Sequence, residues 1–301
     1  MIIVKLTGGL GNQMFQYAIG RALAEKNKTE LKLDISWFNH IKKNTTPRKY
    51  ELGIFNIVEK IANNDEIKKL KKYKKINNWK YLFYNLFFSD NSIYITEKPN
   101  NFNKKILENS NKDIYLDGYW QNEKYFSAQD GFISNGKNIK NIIREEFTLK
   151  NEFSIKNQKL KGIIENTNSI SIHIRRSDYI NNKKTNKIYE ICSLDYYQNA
   201  IQKISEKFKD LKIFVFSDDI WWAKENFKTE FSITFVEENK NYEDLILMSL
   251  CKHNVIANSS FSWWGAWLNP NPDKIVIAPE KWFTDLEKNK YNPIPLTWMK
   301  I

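Results

Sequence analysis

The first 34 residues constrain the fold more than any other part of the sequence. A short apolar strand at residues 2–6 runs directly into the glycine turn Thr7–Gly11, and a helix is expected from about Asn12 to Lys26. A second strand is predicted at Leu31–Asp34. The buried face of the helix would carry Met14, Ala18, Ala22 and Leu23. This order of strand, glycine turn, helix and strand is typical of the start of a doubly wound α/β sheet.

The second half of the chain predicts another sheet of the same kind. Its three apolar strands are each followed by polar residues and a helical pattern, and they lie at residues 169–174, 212–216 and 254–257. The texture of the sequence changes between residues 150 and 165, and a length of 301 residues favours about two domains. We therefore expect two Rossmann-like, doubly wound domains, at residues 1–155 and 156–301.

Composition limits the classes of function. Hydrophobic residues make up 42% of the chain, which is enough to bury a sizeable core. The formal net charge of +12 fits an anionic partner such as nucleic acid, a membrane surface or a phosphorylated substrate, but it also fits a solvated Lys- and Asn-rich surface. The two cysteines, Cys192 and Cys251, exclude a disulfide framework and a cysteine-based zinc site. The three histidines have no metal-binding spacing.

A cytoplasmic protein is the default expectation. The N-terminus has no signal-peptide pattern, and no run of about 18 apolar residues predicts a membrane span. The basic stretch Lys68–Lys75 precedes the aromatic run Trp79–Phe88. These two segments predict either an amphipathic helix leading into a buried one, or a patch for anionic lipid at the inner face of the cell membrane.

The glycine turn Gly8–Gln13 is the first segment with chemical meaning. Glycines allow positive φ and close approach of a ligand to the backbone, and a helix N-terminus presents unpaired N–H groups. A dinucleotide-binding turn is an alternative, with Met14 where its pattern has the last glycine and Asp34 as the acid for ribose. A plain tight turn is the third interpretation, but it leaves the polar Asn12 and Gln13 unexplained.

Two adjacent arginines follow the first strand of the second unit, within His173–Asp178. Ligands of open α/β sheets gather beyond the carboxyl ends of strands, where an uncompensated charge is costly. Planar guanidinium groups suit bidentate contact with phosphate, so Arg175 and Arg176 are candidate phosphate ligands. Asp178 would orient an arginine or act at a reacting sugar. The alternative is an Arg–Asp pair that only fixes the loop.

The segment Asn258–Gly265 follows the third apolar strand of this unit. Ser259 or Ser260 is expected as the N-cap of a helix, whose first N–H groups form an anion site or are merely capped. With Arg175, this helix start would hold a phosphate from two sides. The tryptophans expected in the core at helical spacing are Trp263, Trp264 and Trp267.

The second of these three apolar strands, at residues 212–216, leads into two acids, Asp218 and Asp219. One carboxylate would accept hydrogen bonds from a guanine edge or a ribose hydroxyl. The other would lie in the first turn of the next helix, where negative charge is favoured. The chain has no D-x-D spacing. A departing pyrophosphate would then be neutralised by arginines, N–H groups and a helix dipole, without a metal.

Six segments of the chain together resemble the bacterial α-1,2-fucosyltransferases. They are GGLGNQMFQYA at 8–18, PRKYEL at 47–52, DGYWQNEKYF at 117–126, HIRRSD at 173–178, FSDD at 216–219 and NSSFSWWGAW at 258–267. They occur in the same order as in that family and spread over most of the chain. The Lys-rich stretch from 60 to 110 carries little of the resemblance.

The resemblance implies a GT-B-like glycosyltransferase, whose two domains face a central cleft. The C-terminal domain would hold GDP-fucose and the N-terminal domain would help to hold the acceptor. The enzyme would invert GDP-β-L-fucose into an α-1,2-fucoside on a terminal galactose, with no metal or other cofactor. Its partners would be GDP-fucose and a galactose-terminated oligosaccharide or lipid-linked glycan, as in lipopolysaccharide and O-antigen biosynthesis. Nucleic acid is not expected as a partner.

The resemblance also implies roles for single residues. Arg175 would contact the β-phosphate, and Asp178 is the candidate for a base. The other residues expected to bind GDP-fucose are His173, Arg176, Asp218, Asp219, Ser259, Ser260 and Phe261. The residues expected on the acceptor side are Gly9, Gly11, Asn12 and Gln13. Related enzymes that fucosylate the N-glycan core have a glutamate after the H-x-R-R-x-D loop, but residues 179–184 of this chain contain no acid.

Two other classes of function are compatible with parts of the sequence. A dinucleotide-dependent enzyme would rest on the glycine turn, and it predicts stabilisation by NAD. A non-enzymatic module that binds carbohydrate or polyanions would rest on the aromatic residues and the positive charge. That class predicts binding that weakens steeply with salt. The paired arginines beside a helix N-terminus favour the transferase over both.

Overall fold

The computed structural model describes residues 1–39, 47–72, 92–97, 102–109, 113–127, 133–134, 137–177, 180 and 186–301. The chain divides into two compact units, Met1–Lys150 and Asn151–Ile301. None of the helices in these ranges combines the length and the apolar character that crossing a bilayer requires.

The first unit is built on a four-stranded parallel sheet. Its strands are β1 (Ile2–Lys5), β2 (Leu31–Asp34), β3 (Ile93–Thr96) and β4 (Ile114–Asp117), and their spatial order is β2-β1-β4-β3. The predicted first strand ends one residue early, at Lys5, and the second has the predicted bounds. A two-stranded antiparallel pair, β5 (Ile133–Ser134) and β6 (Lys137–Asn138), stands apart from this sheet.

Helix α1 (Leu10–Lys26) follows the glycine turn and packs on this sheet. The four residues predicted on its apolar face are buried, as are most of the other residues of the helix. Gly20 lies so close to the sheet that an added Cβ would be 2.8 Å from Leu31 and 3.1 Å from Val4. The remaining α-helices described in this unit are α2 (Asn64–Lys71), α3 (Lys104–Leu107) and α4 (Ile139–Glu146).

The basic stretch at 68–75 is described only as far as Lys72. Its first residues form the end of α2, which begins with a capping box between Asn63 and Glu66. The ammonium group of Lys71 lies 2.9 Å from the buried carboxylate of Asp34, so this lysine serves the core of the unit. Residues 73–75 and the aromatic run 79–88 lie outside the described residues, and contact with an anionic membrane stays a prediction.

The second unit is built on a six-stranded parallel sheet. Its strands are β7 (Asn168–Ile174), β8 (Leu211–Ser217), β9 (Ser232–Phe235), β10 (His253–Val255), β11 (Val276–Ala278) and β12 (Met299–Lys300). Their spatial order is β12-β11-β10-β7-β8-β9. The three strands predicted from apolar runs are the central ones, β10, β7 and β8.

The helices described in the second unit surround this sheet. They are α5 (Ile155–Glu165), α6 (Leu194–Ser205), α7 (Ile220–Asn226), α8 (Asn241–Leu250), α9 (Ser260–Leu268) and α10 (Leu286–Asn289). The expectation that the tryptophans of α9 lie in the core is confirmed, because Trp263, Trp264 and Trp267 are buried and in ring contact with one another. The indole N–H of Trp263 donates to the carbonyl of Pro293 at 2.9 Å.

Each sheet reverses its strand order at one point. In the first unit the chain continues from β1 to β2 on one side, and β4 pairs with β1 on the other. In the second unit β8 and β10 lie on opposite sides of β7. Open α/β sheets bind ligands beyond the carboxyl ends of the strands at such points. A ligand is therefore expected at the loops that follow β1 and β4, and at those that follow β7 and β10.

Candidate active site

The two arginines of the HIRRSD segment lie directly beyond β7, as predicted. Parallel pairing sets Ile174 opposite Ser217 of β8, so the loops that follow these two strands start side by side. Both arginine side chains are only about one-fifth to one-quarter exposed. The carboxyl edge of β7 and β8 thus carries two cations that the surrounding side chains hold in place.

Asp218 fixes the arginine loop by three contacts. Its carboxylate accepts hydrogen bonds from the backbone N–H of Arg176 at 2.8 Å and of Ser177 at 3.2 Å. The same carboxylate lies 3.1 Å from a terminal guanidinium nitrogen of Arg175. In return, the Ser177 hydroxyl donates to the Asp218 carbonyl at 2.9 Å. An Arg–Asp pair therefore does fix the loop, and the described acid in it is Asp218. Asp178 lies outside the described residues.

The Arg176 guanidinium lies over an aromatic ring, and its ion pair with the nearest carboxylate is long. Its guanidinium carbon lies 3.9 Å from the centre of the Trp222 ring, and its Nε lies 3.8 Å from the Asp219 carboxylate. That Nε is buried and has no hydrogen-bond partner among the described residues. Asp219 is the N-cap of α7, where it accepts from the N–H of Trp222 at 3.3 Å. The sequence predicted one of the two acids in the first turn of this helix, and the structure has Asp219 one position earlier, as its cap.

His173 is an internal residue at the base of the loop. It is 3% exposed, and its ring packs against Phe261 with the ring centres 5.6 Å apart. Burial, with a smaller contribution from the Arg175 charge, lowers the pKa of His173 to about 3. Its Nδ1 has no hydrogen-bond partner in the described part of the chain. His173 is therefore neutral at physiological pH, and its Nδ1 is suited to a hydrogen bond with a group outside the described residues.

The serine-rich loop after β10 leads into α9, whose Phe261 makes this ring contact with His173 near the end of β7. Ser259 is the N-cap of α9, and its hydroxyl accepts from the N–H of Phe261 at 3.3 Å. Asn258 anchors the loop, because its amide donates to the carbonyls of Glu190 at 2.8 Å and Trp282 at 3.1 Å. The strands β7 and β10 are direct neighbours, so the two loops lie together at the reversal point of the sheet.

The glycine turn of the first unit is shaped by its own backbone. Gly8 has φ +76°, and an added Cβ would lie 2.6 Å from the Asn12 side-chain amide, so the turn requires glycine here. A Cβ on Gly9 would lie 3.8 Å from the Arg48 guanidinium. The Asn12 side-chain oxygen accepts from the amide of Gln121, which follows β4, at 2.7 Å. Asn12 thus lies where the loops after β1 and β4 meet.

Gln13, expected on the acceptor side, lies in the first turn of α1. It is fully buried, and its amide donates to the carbonyls of Gly8 at 3.0 Å and Lys49 at 2.9 Å. Its oxygen accepts from the N–H of Glu51 at 2.9 Å. Gln13 therefore supports the turn from below, and Gly11 is buried beside it. The place of these two residues on the acceptor side stays a prediction.

The acid required by the dinucleotide interpretation is also internal. Asp34 is fully buried and accepts hydrogen bonds from the Tyr115 hydroxyl, from Lys71 and from the N–H of Ser36. Burial alone would raise the pKa of Asp34, but these hydrogen bonds hold it below its ordinary value. Asp34 is thus a buried residue that bonds to Lys71 of α2, and its carboxylate is not exposed for contact with a ribose.

Within the described ranges, no group of three or more His, Cys, Asp or Glu side chains is placed to hold a metal ion. The metal-free reaction stays a prediction.

The buried state of His173 has a measurable consequence for stability. Unfolding returns the imidazole to water, where its pKa is about 6.5. Between pH 6.5 and 3 the unfolded chain then binds a proton that the folded chain does not, so the free energy of unfolding falls as the pH falls. Relative to a His173→Gln variant, the wild type should lose about 1.4 kcal/mol of unfolding free energy per pH unit below pH 6.5.

Urea unfolding of the wild type and of His173→Gln at pH 7.0, 6.0 and 5.0, without nucleotide, measures this difference. His253 titrates equally in both proteins, and a difference that stays constant with pH would contradict the buried neutral state.

Comparison with known protein families gives one model that covers the chain. The model of glycosyl transferase family 11 matches residues 1–301. An alpha-1,2-colitosyltransferase of Escherichia coli is 35% identical over 100% of this chain and 99% of its own length. The O-antigen biosynthesis glycosyltransferase WbnK of Escherichia coli is 37% identical over 95% of this chain and 96% of its own. The mouse galactoside alpha-(1,2)-fucosyltransferase 1 is 25% identical over 53% of this chain and 47% of its own.

A solved structure shares the fold. The structure of a mutant of Arabidopsis thaliana FUT1 in complex with GDP covers 95% of this chain and 72% of its own, with a TM-score of 0.54 and 10% sequence identity. Together with the two parallel sheets, this likeness confirms the predicted α/β, GT-B-like fold.

Proposed function

Because this chain belongs to glycosyl transferase family 11, we propose that it transfers L-fucose from GDP-β-L-fucose to O2 of a terminal β-galactose. The transfer inverts the anomeric centre and gives an α-1,2-fucoside. The acceptor is a galactose-terminated oligosaccharide or a lipid-linked glycan. In this proposal residues 156–301 hold the donor and residues 1–155 help to hold the acceptor.

The observation that carries the proposal is the set of groups beyond β7 and β10. Arg175 and Arg176 are fixed there by Asp218, Asp219 and Trp222, next to the N-terminus of α9. A guanidinium group and the N–H groups of a helix start are the ligands that a diphosphate prefers in proteins. Their charge and dipole are preorganised, so they stabilise a leaving diphosphate without reorganising during the reaction.

The proposed reaction breaks one bond and forms another. The bond between C1 of fucose and the β-phosphate oxygen breaks, and the electron pair stays on GDP. O2 of galactose bonds to C1 from the opposite face, and its proton passes to a base or to solvent. The sugar passes through an oxocarbenium-like transition state, in which charge on the departing phosphate grows. Arg175 meets that charge, and Asp178 is the candidate for the base.

The donor sugar is the finer part of the proposal. The similarity of motifs and the mouse galactoside fucosyltransferase support fucose, whereas the bacterial relative that matches the full length is named for colitose. Colitose is fucose without its hydroxyl at C3. A transfer reaction with the two donors, GDP-fucose and GDP-colitose, separates these two assignments at the same site.

A dinucleotide-dependent activity is disfavoured by the structure of the first unit. The acid that such a site needs for the ribose is Asp34, and it is enclosed by Tyr115 and Lys71. A module that merely binds polyanions would not require two arginines fixed by three side chains at a sheet edge. The transferase accounts for that arrangement directly.

The test combines binding and turnover. GDP should raise the melting temperature in a thermal-shift assay and NAD should not, because a ligand stabilises only the fold that binds it. GDP-fucose should be converted with lactose, lacto-N-biose or N-acetyllactosamine as acceptor, and linkage analysis should find fucose α-linked to O2 of galactose. The rate should be the same with and without EDTA. Stabilisation by NAD alone, loss of turnover in EDTA, or exclusive use of GDP-colitose would each overturn the corresponding part of the proposal.

A further inference from the structure

The loop that follows β4 lies at the reversal point of the first sheet. It contains Gly118–Asn122, and two amide hydrogen bonds tie it to the first half of α1. The Gln16 amide donates to the carbonyl of Gly118 at 3.0 Å, and the Gln121 amide donates to Asn12 at 2.7 Å. Beyond the carboxyl ends of β1 and β4, this loop therefore occupies the position where open α/β sheets bind ligands.

The loop is held in a conformation that its sequence does not favour. Trp120 has φ +59°, a left-handed backbone that a bulky residue rarely adopts, and its ring is fully buried against Tyr125. An added Cβ on Gly118 would lie 2.3 Å from the Cβ of Glu97. The Glu97 carboxylate accepts from the N–H of Tyr119 at 2.6 Å and of Trp120 at 3.0 Å. Strain of this kind persists only where the surroundings enforce it, and it is concentrated at ligand-binding sites.

Tyr119 is the residue that this loop presents. Its neighbours on both sides are packed, yet its own side chain is 51% exposed. Its backbone N–H is bonded to Glu97, and its ring and hydroxyl have no hydrogen-bond, aromatic or cationic partner in the part of the chain that the structure describes. The strained backbone thus fixes the Cα of Tyr119, while its aromatic ring is exposed to solvent.

We propose that Tyr119 is a stacking platform for a pyranose ring of the acceptor glycan. This inference rests on the proposed function and names a specificity residue for it. A pyranose such as galactose presents a face of C–H groups, which packs on an aromatic face, and hydroxyls at its edge, which need polar partners. The Tyr119 ring supplies the apolar face and its hydroxyl a polar tip. The neighbouring Gln121 keeps an amide oxygen that accepts no hydrogen bond from the described residues, and it is suited to a sugar hydroxyl.

A backbone that is held in place at Tyr119 favours sugar binding, and this gain accounts for the strained conformation at this position. A side chain on a mobile loop would lose conformational freedom when the sugar binds, and this loss would weaken binding. The contacts of Glu97, Gly118 and Trp120 hold the backbone in place before the sugar arrives. Tyr119 is therefore expected to act on acceptor binding and not on the cleavage of the donor.

The test separates acceptor binding from donor chemistry. With the wild type, Tyr119→Ala and Tyr119→Phe, we would measure the acceptor KM, kcat, and the slow hydrolysis of GDP-fucose without acceptor. Tyr119→Ala should raise the acceptor KM about ten-fold, as expected from the loss of one aromatic contact. Hydrolysis of GDP-fucose and stabilisation by GDP should not change. Tyr119→Phe should stay within about two-fold of the wild type in acceptor KM, since the ring face remains. Tyr291→Ala is the matched control, because Tyr291 is a comparably exposed tyrosine far along the chain from this loop.

A second measurement keeps this inference distinct from the proposed function. Saturation-transfer NMR with lactose or lacto-N-biose reports sugar binding without any turnover. If the wild type transfers fucose and Tyr119→Ala has an unchanged acceptor KM, the platform is wrong and the function stands. If GDP-fucose is not used, weaker saturation transfer in Tyr119→Ala still supports the platform, and equal transfer rejects it. Absence of binding of both sugars to the wild type also rejects it.

Discussion

Replacement of Arg175 by alanine should lower kcat for fucosyl transfer at least 10²–10³-fold, while the protein stays folded. Loss of one preorganised group that meets charge in a transition state typically costs about 2.7–4 kcal/mol. Arg175 has the features of such a group, because its guanidinium is only one-fifth exposed and is fixed at 3.1 Å by Asp218. Steady-state transfer from GDP-fucose to lactose measures the loss, and thermal unfolding shows whether the fold survives.

Two further variants make this result specific. Arg175→Lys keeps the charge but loses the planar, bidentate geometry, so it should recover little of the activity. Lys224→Ala is the matched control on α7, because the Lys224 ammonium pairs with Glu237 at 2.6 Å and both side chains are about one-third exposed. Lys224→Ala should retain kcat within about three-fold, in line with the small contribution of exposed ion pairs. Turnover of Arg175→Ala close to that of the wild type would exclude charge neutralisation by this residue.

The parts of the fold that could be predicted are those that one stretch of sequence determines. The central strands β7 and β8 are buried on both faces, so they appear as apolar runs that need no partner to be recognised. The outer strands β9 and β12 are partly exposed, and β11 has only three residues. Their pairing depends on neighbours distant in sequence, as in the contact of Ile277 with Met299. The sequence pattern alone does not reveal them.

The same distinction applies to the candidate site. The place of Arg175 beyond a buried strand, and of Ser259 at a helix start, follow from local pattern. The role of Asp218 in fixing the arginine loop does not follow from local pattern, because its carboxylate bonds to backbone N–H groups 41 and 42 residues away. The hydrogen bonds of Gln13 are likewise beyond local pattern, because its side chain is fully buried and bonds to backbone groups of Lys49 and Glu51, 36 and 38 residues away. Nothing in the sequence signals the positive φ of Trp120, whose ring is fully buried and whose N–H bonds to Glu97.

Replacement of Asp218 and replacement of Asp219 are expected to change different kinetic constants, although the two residues are adjacent. Asp218→Ala removes the acceptor of two backbone N–H groups and the partner of Arg175, so the arginine loop loses its fixed geometry. We expect kcat to fall about 10²-fold, because small displacements of catalytic groups have effects of this size. Asp218→Asn should recover little, since its amide group cannot accept at both positions.

Asp219→Ala should instead act on the donor. One oxygen of Asp219 caps α7, and the other accepts no hydrogen bond within the described residues, so it is the carboxylate oxygen suited to a guanine edge. The expected result is a donor KM raised about ten-fold, with kcat little changed and about 1 kcal/mol of stability lost with the cap. GDP titration by calorimetry, with inosine diphosphate in parallel, checks this assignment. Inosine lacks the 2-amino group of guanine, so a carboxylate that contacts this group should discriminate the two nucleotides in the wild type and not in Asp219→Ala. If Asp218→Ala alone lost that discrimination while its kcat stayed normal, the two roles would have to be exchanged, and the fixed arginine loop would no longer explain catalysis.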